Sequence, residues 1–284
     1  MLKLFSLAVL VFMLIGCINQ HKQSILKKSK DTYLFEQVEN KVDSEKIFPN
    51  LSQQLLFKVL FDNPDVDTVN NEAKWMPNFS ERMNFPISYD GKCHTGLDTI
   101  MYYTAQDSIE RAVVLFGTYL YYNKNNRCGP HGEGAPIGIA LFAKRNDGRW
   151  QVSTFNKSFT SLGLFVGADK KWRGSYSLLR MGDKWTCLEL HQDNCANGGA
   201  SGTEWLYSIE DNFLSAFPNQ NTLNQILAFD TYIDDAEQNV KTKLVFIKHP
   251  KSYYDADLIT TGEGKTGIKH YQFSEEANCY LEKK

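Results

Sequence analysis

From Arg111 onward the apolar residues recur with a period of two, and no other feature limits the fold of this chain so strongly. Successive side chains on a strand point to opposite faces, so that period demands β-structure. Ala112 to Tyr122 (AVVLFGTYLYY) is a continuous β-branched and aromatic run, suited to a strand buried on both faces. Ile137 to Ala143, the turn Asn146-Asp147-Gly148 and Trp150 to Phe155 read as a hairpin, because Asn and Gly accept the positive φ of tight turns. A second hairpin runs from Tyr176 to Met181, through Gly182-Asp183, to Trp185 to Leu190. A third is expected for Trp205 to Ile209 and Phe213 to Phe217 around Glu210-Asp211-Asn212. Leu227 to Ile233, Lys243 to Ile247, Asp257 to Thr261 and Ile268 to Phe273 complete about a dozen short strands. The segment Asn123 to Pro136 carries too many Gly, Pro and Asn for regular structure and reads as a long turn. The expected class is mainly β: an antiparallel meander, sandwich or open barrel, with one N-terminal helix.

That helix is Asn50 to Phe61. Leu51, Leu55, Leu56, Val59 and Leu60 recur at three- and four-residue steps, Asn50 or Ser52 can cap it, and Asn63-Pro64 stops it. A helix this short is marginal alone, so its apolar stripe has to pack on the rest of the domain. Pro64 to Lys92 has no clear period. The chain therefore divides into residues 1–16, a polar segment 17–48, a helical and irregular segment 49–92 and an antiparallel β domain 93–284 packed with it.

Residues 1–16 are a targeting signal: Lys3 supplies a positive start, and Leu4 to Gly16 is apolar except for Ser6. A spanning helix needs roughly 17 to 25 apolar residues, and this run gives way to Asn19, Gln20, His21 and Lys22 too soon. Leu14-Ile15-Gly16-Cys17 resembles the lipobox of bacterial lipoproteins, in which a small residue precedes the lipidated cysteine. The resemblance implies that the Cys17 sulfur takes a diacylglyceryl group, that a peptidase cuts after Gly16, and that the new amino group takes a further acyl chain such as palmitate. It also implies location. An aspartate just after the cysteine would retain such a protein at the inner membrane; Ile18 and Asn19 stand there, which implies the outer membrane, facing the periplasm. Residues 17–48 then read as a tether, with Lys22, Lys27, Lys28 and Lys30 next to the lipid.

With 31 basic and 33 acidic residues the net charge is near zero, so no field exists to hold a phosphate backbone, and nucleic acid is excluded as a partner class. Five further cysteines stand at 93, 128, 187, 195 and 279, and an exported chain meets an oxidising compartment. Two disulfides are expected; five cysteines can form two bridges in about 15 ways that sequence alone does not choose among, and the preferred pairing is Cys187 with Cys195 across a strand end and turn, and Cys93 with Cys128 between turn-rich segments. Cys279 is left over as a small hydrophobe in the last strand.

No motif announces chemistry. Gly262-Glu263-Gly264-Lys265-Thr266-Gly267 has the letters of a phosphate loop, but strand character succeeds it where a helix N-terminus is required. It reads as a hairpin turn. Asp62, Asp65, Asp67 and Glu72 lack the glycine and terminal glutamate of a calcium loop. Cys187, His191 and Cys195, with Cys128 and His131, have zinc-ligand residue types, but thiols in an oxidising space bridge more readily than they bind metal. Gly198 to Gly202 is not a serine elbow. No cofactor and no metal are therefore expected. The Gly-rich loops Arg127 to Ala135 and Asn194 to Thr203 are the segments that would frame a ligand if they met. The resulting expectation is a lipid-anchored envelope protein with a structural role or a β domain that binds a glycan, peptide or partner protein. Its rival is an envelope hydrolase using carboxylates in a β cleft.

Overall fold

The computed structural model divides the chain into two units, Met1–Glu39 and Asn40–Lys284. It describes residues 46–283 except 63, 80, 106, 124–125, 129–133, 164–173, 184, 197–198, 210–223, 235–238, 249–252, 263–265 and 278, all in the second unit. The described residues are mainly β, as the period-two pattern demands: antiparallel sheets, one of them curled into a half-barrel, and a single short helix.

The first sheet holds β1 (Ile47–Phe48), β2 (Asp65–Asp67), β3 (Glu72–Trp75), β4 (Cys93–Thr104), β5 (Glu110–Asn123), β6 (Asn126–Cys128), β7 (Gly134–Lys144) and β8 (Trp150–Gly163). Its order is β1-β8-β7-β5-β4-β3-β2, with β6 paired to β5. The second holds β9 (Gly174–Arg180), β10 (Thr186–Ala196), β11 (Gly199–Ser208), β12 (Asn224–Asp234), β13 (Asn239–Ile247), β14 (Asp255–Gly262), β15 (Gly267–Ser274) and β16 (Cys279–Glu282). These eight succeed one another as an uninterrupted meander.

Helix α1 (Gln53–Leu60) starts after Ser52, whose N–H donates to Asn50 Oδ1 at 3.0 Å, and it buries Leu56, Phe57 and Leu60. They pack on one face of the first sheet, against Ala112, Val114 and Phe116 of β5 and Ala140 and Phe142 of β7. The alternate residues of the same strands, Val113, Leu115, Ile139 and Leu141, face the second sheet and meet Leu188, Leu190, Tyr207 and Ile209. The run Ala112 to Tyr122 is continuous because both of its faces are covered, one by a helix and one by a sheet. Each Val, Leu, Ile or Phe side chain among them contributes about 1.5–3 kcal/mol on burial.

The second sheet repeats the alternation with a different outcome. On β10, Leu188 and Leu190 face the first sheet, while Cys187 turns into a third core with Leu206, Leu227, Ala256, Leu258 and Tyr280. That core draws on both ends of the meander, so the sheet closes partly on itself. Polar clips fasten the curl: Tyr254 N–H donates to Met181 O at 2.7 Å, Tyr254 OH to Asp183 Oδ1 at 2.8 Å, and Tyr280 OH to Tyr254 O at 3.0 Å.

Several expectations need correction. Cys187 and Cys195 do not bridge. The strand expected to end at Leu190 continues to Ala196, so both cysteines lie on β10, eight positions apart. At 3.3 Å per residue that is roughly 26 Å, far beyond the Cα separation of about 7 Å that a disulfide tolerates. Cys93 is also unbridged: it opens β4 opposite Trp75 as a fully buried member of the first core, and Cys128 ends β6 opposite Leu120. Among the described residues Cys93, Cys187 and Cys279 are free thiols. The segment read as one long turn contains β6 and the start of β7. Ile47–Phe48, assigned to the tether, pair with Gln151 and Trp150 of β8. Lastly, β11 pairs with β12, while 213–217 lie outside the described residues.

Candidate functional site

The inner wall of the curled sheet gathers a set of half-exposed polar groups. Period two along β10 places Cys187, Glu189 and His191 on one face, the face that lines the third core at Cys187 and becomes polar further along. The antiparallel register sets Glu189 opposite Ser177 of β9 and His191 opposite Glu204 of β11. Ser177 Oγ donates to Glu189 Oε2, and His191 Nδ1 stands 3.5 Å from Glu204 Oε1. All four remain partly exposed. Burial pushes the Glu204 carboxyl above the usual glutamate range, the Glu189 charge adds to the push, and His191 opposes it without cancelling it.

At the other end of the same wall is an aromatic row. Tyr253 lies between Trp185, 4.8 Å away with the planes at 18°, and Phe273, 4.0 Å away at 16°. Tyr280 closes the row edge-on to Phe273 at 5.3 Å. Trp185, Tyr253 and Phe273 are only partly buried. The wall thus runs from flat apolar rings to carboxylates, an imidazole and a hydroxyl.

Two buried clusters elsewhere do structural work. In the first sheet His94 places Nδ1 3.4 Å from Glu72 Oε2 and Nε2 3.0 Å from Asp90 Oδ2, while Tyr121 lies against its ring and donates to Glu72 Oε1 at 2.5 Å. Burial alone would raise the Asp90 carboxyl, but hydrogen bonds from Lys92 N–H and His94 hold it below the usual aspartate range. Between the sheets, Asp98 accepts from Tyr119 OH at 2.6 Å and from Tyr176 OH of β9 at 3.1 Å. Gly117 makes room for this contact: a Cβ there would stand 2.3 Å from Tyr119 OH and 2.9 Å from Asp98 Oδ2.

The residues singled out from sequence scatter. Cys17 lies outside the described residues. Cys93 and Cys187 are core thiols; burial pushes Cys93 up to about 12 and Cys187 higher still, so neither is a nucleophile at neutral pH. Cys128 and Cys195 stand in β6 and β10, in different sheets. The acids near the helix end hold a β-turn in place of a calcium loop: Asp67 accepts from Val69 and Asn70 N–H and pairs with Lys74. Among the described residues no group of three or more His, Cys, Asp and Glu is arranged to hold a metal ion. The glycine-rich Gly262–Gly267 segment joins β14 to β15, with strand after it as expected.

Sequence reasoning did not single out Glu189, Glu204 or Ser177. The TCLELHQ pattern of β10 puts Cys187 and His191 on a common face, but only the register with β9 and β11 brings the two carboxylates and the serine to it. No family model, curated protein or solved structure matches this chain.

Proposed function

We propose that this chain is a lipid-anchored protein of the bacterial envelope, held in the outer membrane by acyl groups on Cys17, whose curled second sheet binds a cell-wall glycan. The inner wall of that sheet carries the reading. The outer rings of the row, Trp185 and Phe273, offer apolar surface to the C–H face of a sugar, with Tyr253 stacked between them to hold them in place, and Glu189, Glu204, His191 and Ser177 offer the acceptors and donors that its hydroxyls need. The lipobox supports the address: two or more acyl chains at about 0.8 kcal/mol per buried CH2 hold a protein on a membrane where one would not. No helix among the described residues is long and apolar enough to cross a membrane.

The test is calorimetric titration of the protein with soluble peptidoglycan fragments. Trp185→Ala and Glu204→Gln are each expected to weaken binding at least tenfold with the fold retained. Wild-type protein that takes up no fragment sinks the glycan reading. For the anchor, mass spectrometry of the native protein should find an acylated Cys17 at the amino terminus; an unmodified start at Met1 refutes it.

One observation favours hydrolysis as a second reading. Glu204, raised by burial and by Glu189, has the environment of a general acid, and Glu189 on the neighbouring strand places a second carboxylate on the same face. Release of shorter fragments during the same titration, lost in Glu204→Gln and in Glu189→Gln, selects hydrolysis over binding.

A further inference from the structure

The register that gathers the polar wall also builds a row across it. His191 of β10 is paired directly with Ser175 of β9 on one side and with Glu204 of β11 on the other. Directly opposed residues share a face, with Cβ atoms about 4.5–5.5 Å apart, so a hydroxyl, an imidazole and a carboxylate stand in line on three neighbouring strands. His191 Nδ1 faces Glu204 Oε1 at 3.5 Å. An imidazole that gives its Nδ1 proton to a carboxylate keeps its basic lone pair on Nε2, the nitrogen a serine needs. Ser175 is exposed, and among the described residues no hydrogen bond holds its Oγ, whereas Ser177, next along the same face, is tied to Glu189. Strand β9 is also the last of the second sheet, so alternate N–H groups along its outer edge have no strand to pair with among the described residues. They are donors for negative charge developing on a carbonyl oxygen at Ser175.

We propose that Ser175, His191 and Glu204 form a nucleophilic relay that removes ester-linked acyl groups from the glycan bound on this wall. The substrate class rests on the glycan reading above, and the relay rests on the row. Ser175 Oγ attacks the acyl carbonyl carbon while its proton passes to His191 Nε2. The sugar oxygen leaves with that proton, and an acyl ester of Ser175 remains. Water then attacks the same carbon and gives a proton to His191, which returns it to Ser175 Oγ as the carboxylic acid departs. Ester and water become alcohol and acid with no other reactant. Ser175 and His191 are the catalytic residues; Glu204 is a positioning residue that sets the tautomer and tilt of the ring. The hydrogen bond from Ser175 to His191 closes as substrate seats, since such bonds are commonly long before it binds. Sugar chains stay whole in this reaction, which separates it from glycoside hydrolysis by Glu204 and Glu189.

The full-length protein, extracted in detergent, is treated with a fluorophosphonate, which phosphonylates activated serines, and is digested for tandem mass spectrometry. The peptide carrying Ser175 should gain the label, and His191→Ala should lower the labelling rate at least a hundredfold. Glu204→Gln should slow labelling at least tenfold and Glu204→Asp should recover part of the loss, a rescue that a purely structural role would not show. An unlabelled Ser175 in the wild-type protein overturns the relay. The same protein is then given chemically O-acetylated peptidoglycan fragments, with acetate release read by NMR and binding by calorimetry. Acetate released at unchanged chain length, and lost in Ser175→Ala with its unfolding midpoint unchanged, is the expected result. Fragments bound without acetate release overturn the proposal and leave the glycan reading standing. A labelled Ser175 with no fragment bound overturns the glycan reading and the substrate with it, and leaves the relay.

Discussion

The two sheets solve the same problem in different ways. The first is covered on both faces, by α1 on one side and by β9–β11 on the other, and its central strand β5 is apolar at consecutive positions. The second has only one face to lean on the first sheet, so it buries the other by curling over itself, and its apolar lining runs out into Glu189, His191 and Glu204. A strand with a neighbour over each face, such as β5, is core on both sides. A sheet that must be its own neighbour leaves a concave wall with an open end, and there the half-exposed polar groups collect.

That contrast is open to direct attack. Phe116→Ala, which empties a fully buried site beneath α1, should cost about 3–5 kcal/mol in denaturant unfolding, whereas Leu258→Ala on the curled sheet should fall near the low end of about 2–5 kcal/mol. Equal losses would mean that the curl is as tightly packed as the doubly covered sheet. Next in size, Gly117→Ala should cost about 1–3 kcal/mol, since the new methyl displaces Tyr119 from Asp98 and loosens the contact between the sheets. A melting temperature unchanged within error would remove that contact from the set that joins them.

The two regions should also respond to pH with opposite signs. Asp90 in the first sheet is held below its ordinary value, so its contribution is present at neutral pH and is lost as pH falls through its folded-state value, below the usual aspartate value of about 3.9. Glu204 in the second is raised, so stability falls as pH rises from the usual glutamate value of about 4.3 through its raised one. Asp90→Asn should cost about 1 kcal/mol or less at pH 7 and flatten the acid limb, and Glu204→Gln should change stability by about 0.5 kcal/mol or less there and flatten the other. Unfolding midpoints at several pH values check both. A shared sign would defeat the assignment. The smallest effect concerns thiols: without reductant, Cys279, half-buried near the chain end, should alkylate in the native state, and Cys93 and Cys187 only after unfolding. Native labelling of Cys187 would mean that the curl opens readily.

Much of this was legible in the residues. The stripe Leu51, Leu55, Leu56, Val59 and Leu60 marks a helix, and the helix forms, though Phe57, buried at its centre, belongs to the stripe as well. The Asn146-Asp147-Gly148 turn forms with Gly148 at φ +79° between β7 and β8. Strand lengths were harder: polar residues such as Gln192 and Asp193 conceal the end of β10, because a strand inside a sheet continues as long as neighbours satisfy its backbone, whatever its side chains. That one hidden boundary is why the expected disulfide fails.

What the sequence determined by itself is local: period-two alternation, tight turns and a short amphipathic helix, each decided by residues within a turn or two of one another. What only the tertiary structure decided is which strands become neighbours, and therefore that Glu189, Ser177, His191 and Glu204 share a wall and that Cys187 does not reach Cys195. Such facts depend on register between segments far apart in the chain. A shift of a single residue turns every side chain to the other face, and nothing in one strand's own residues states its partner's offset.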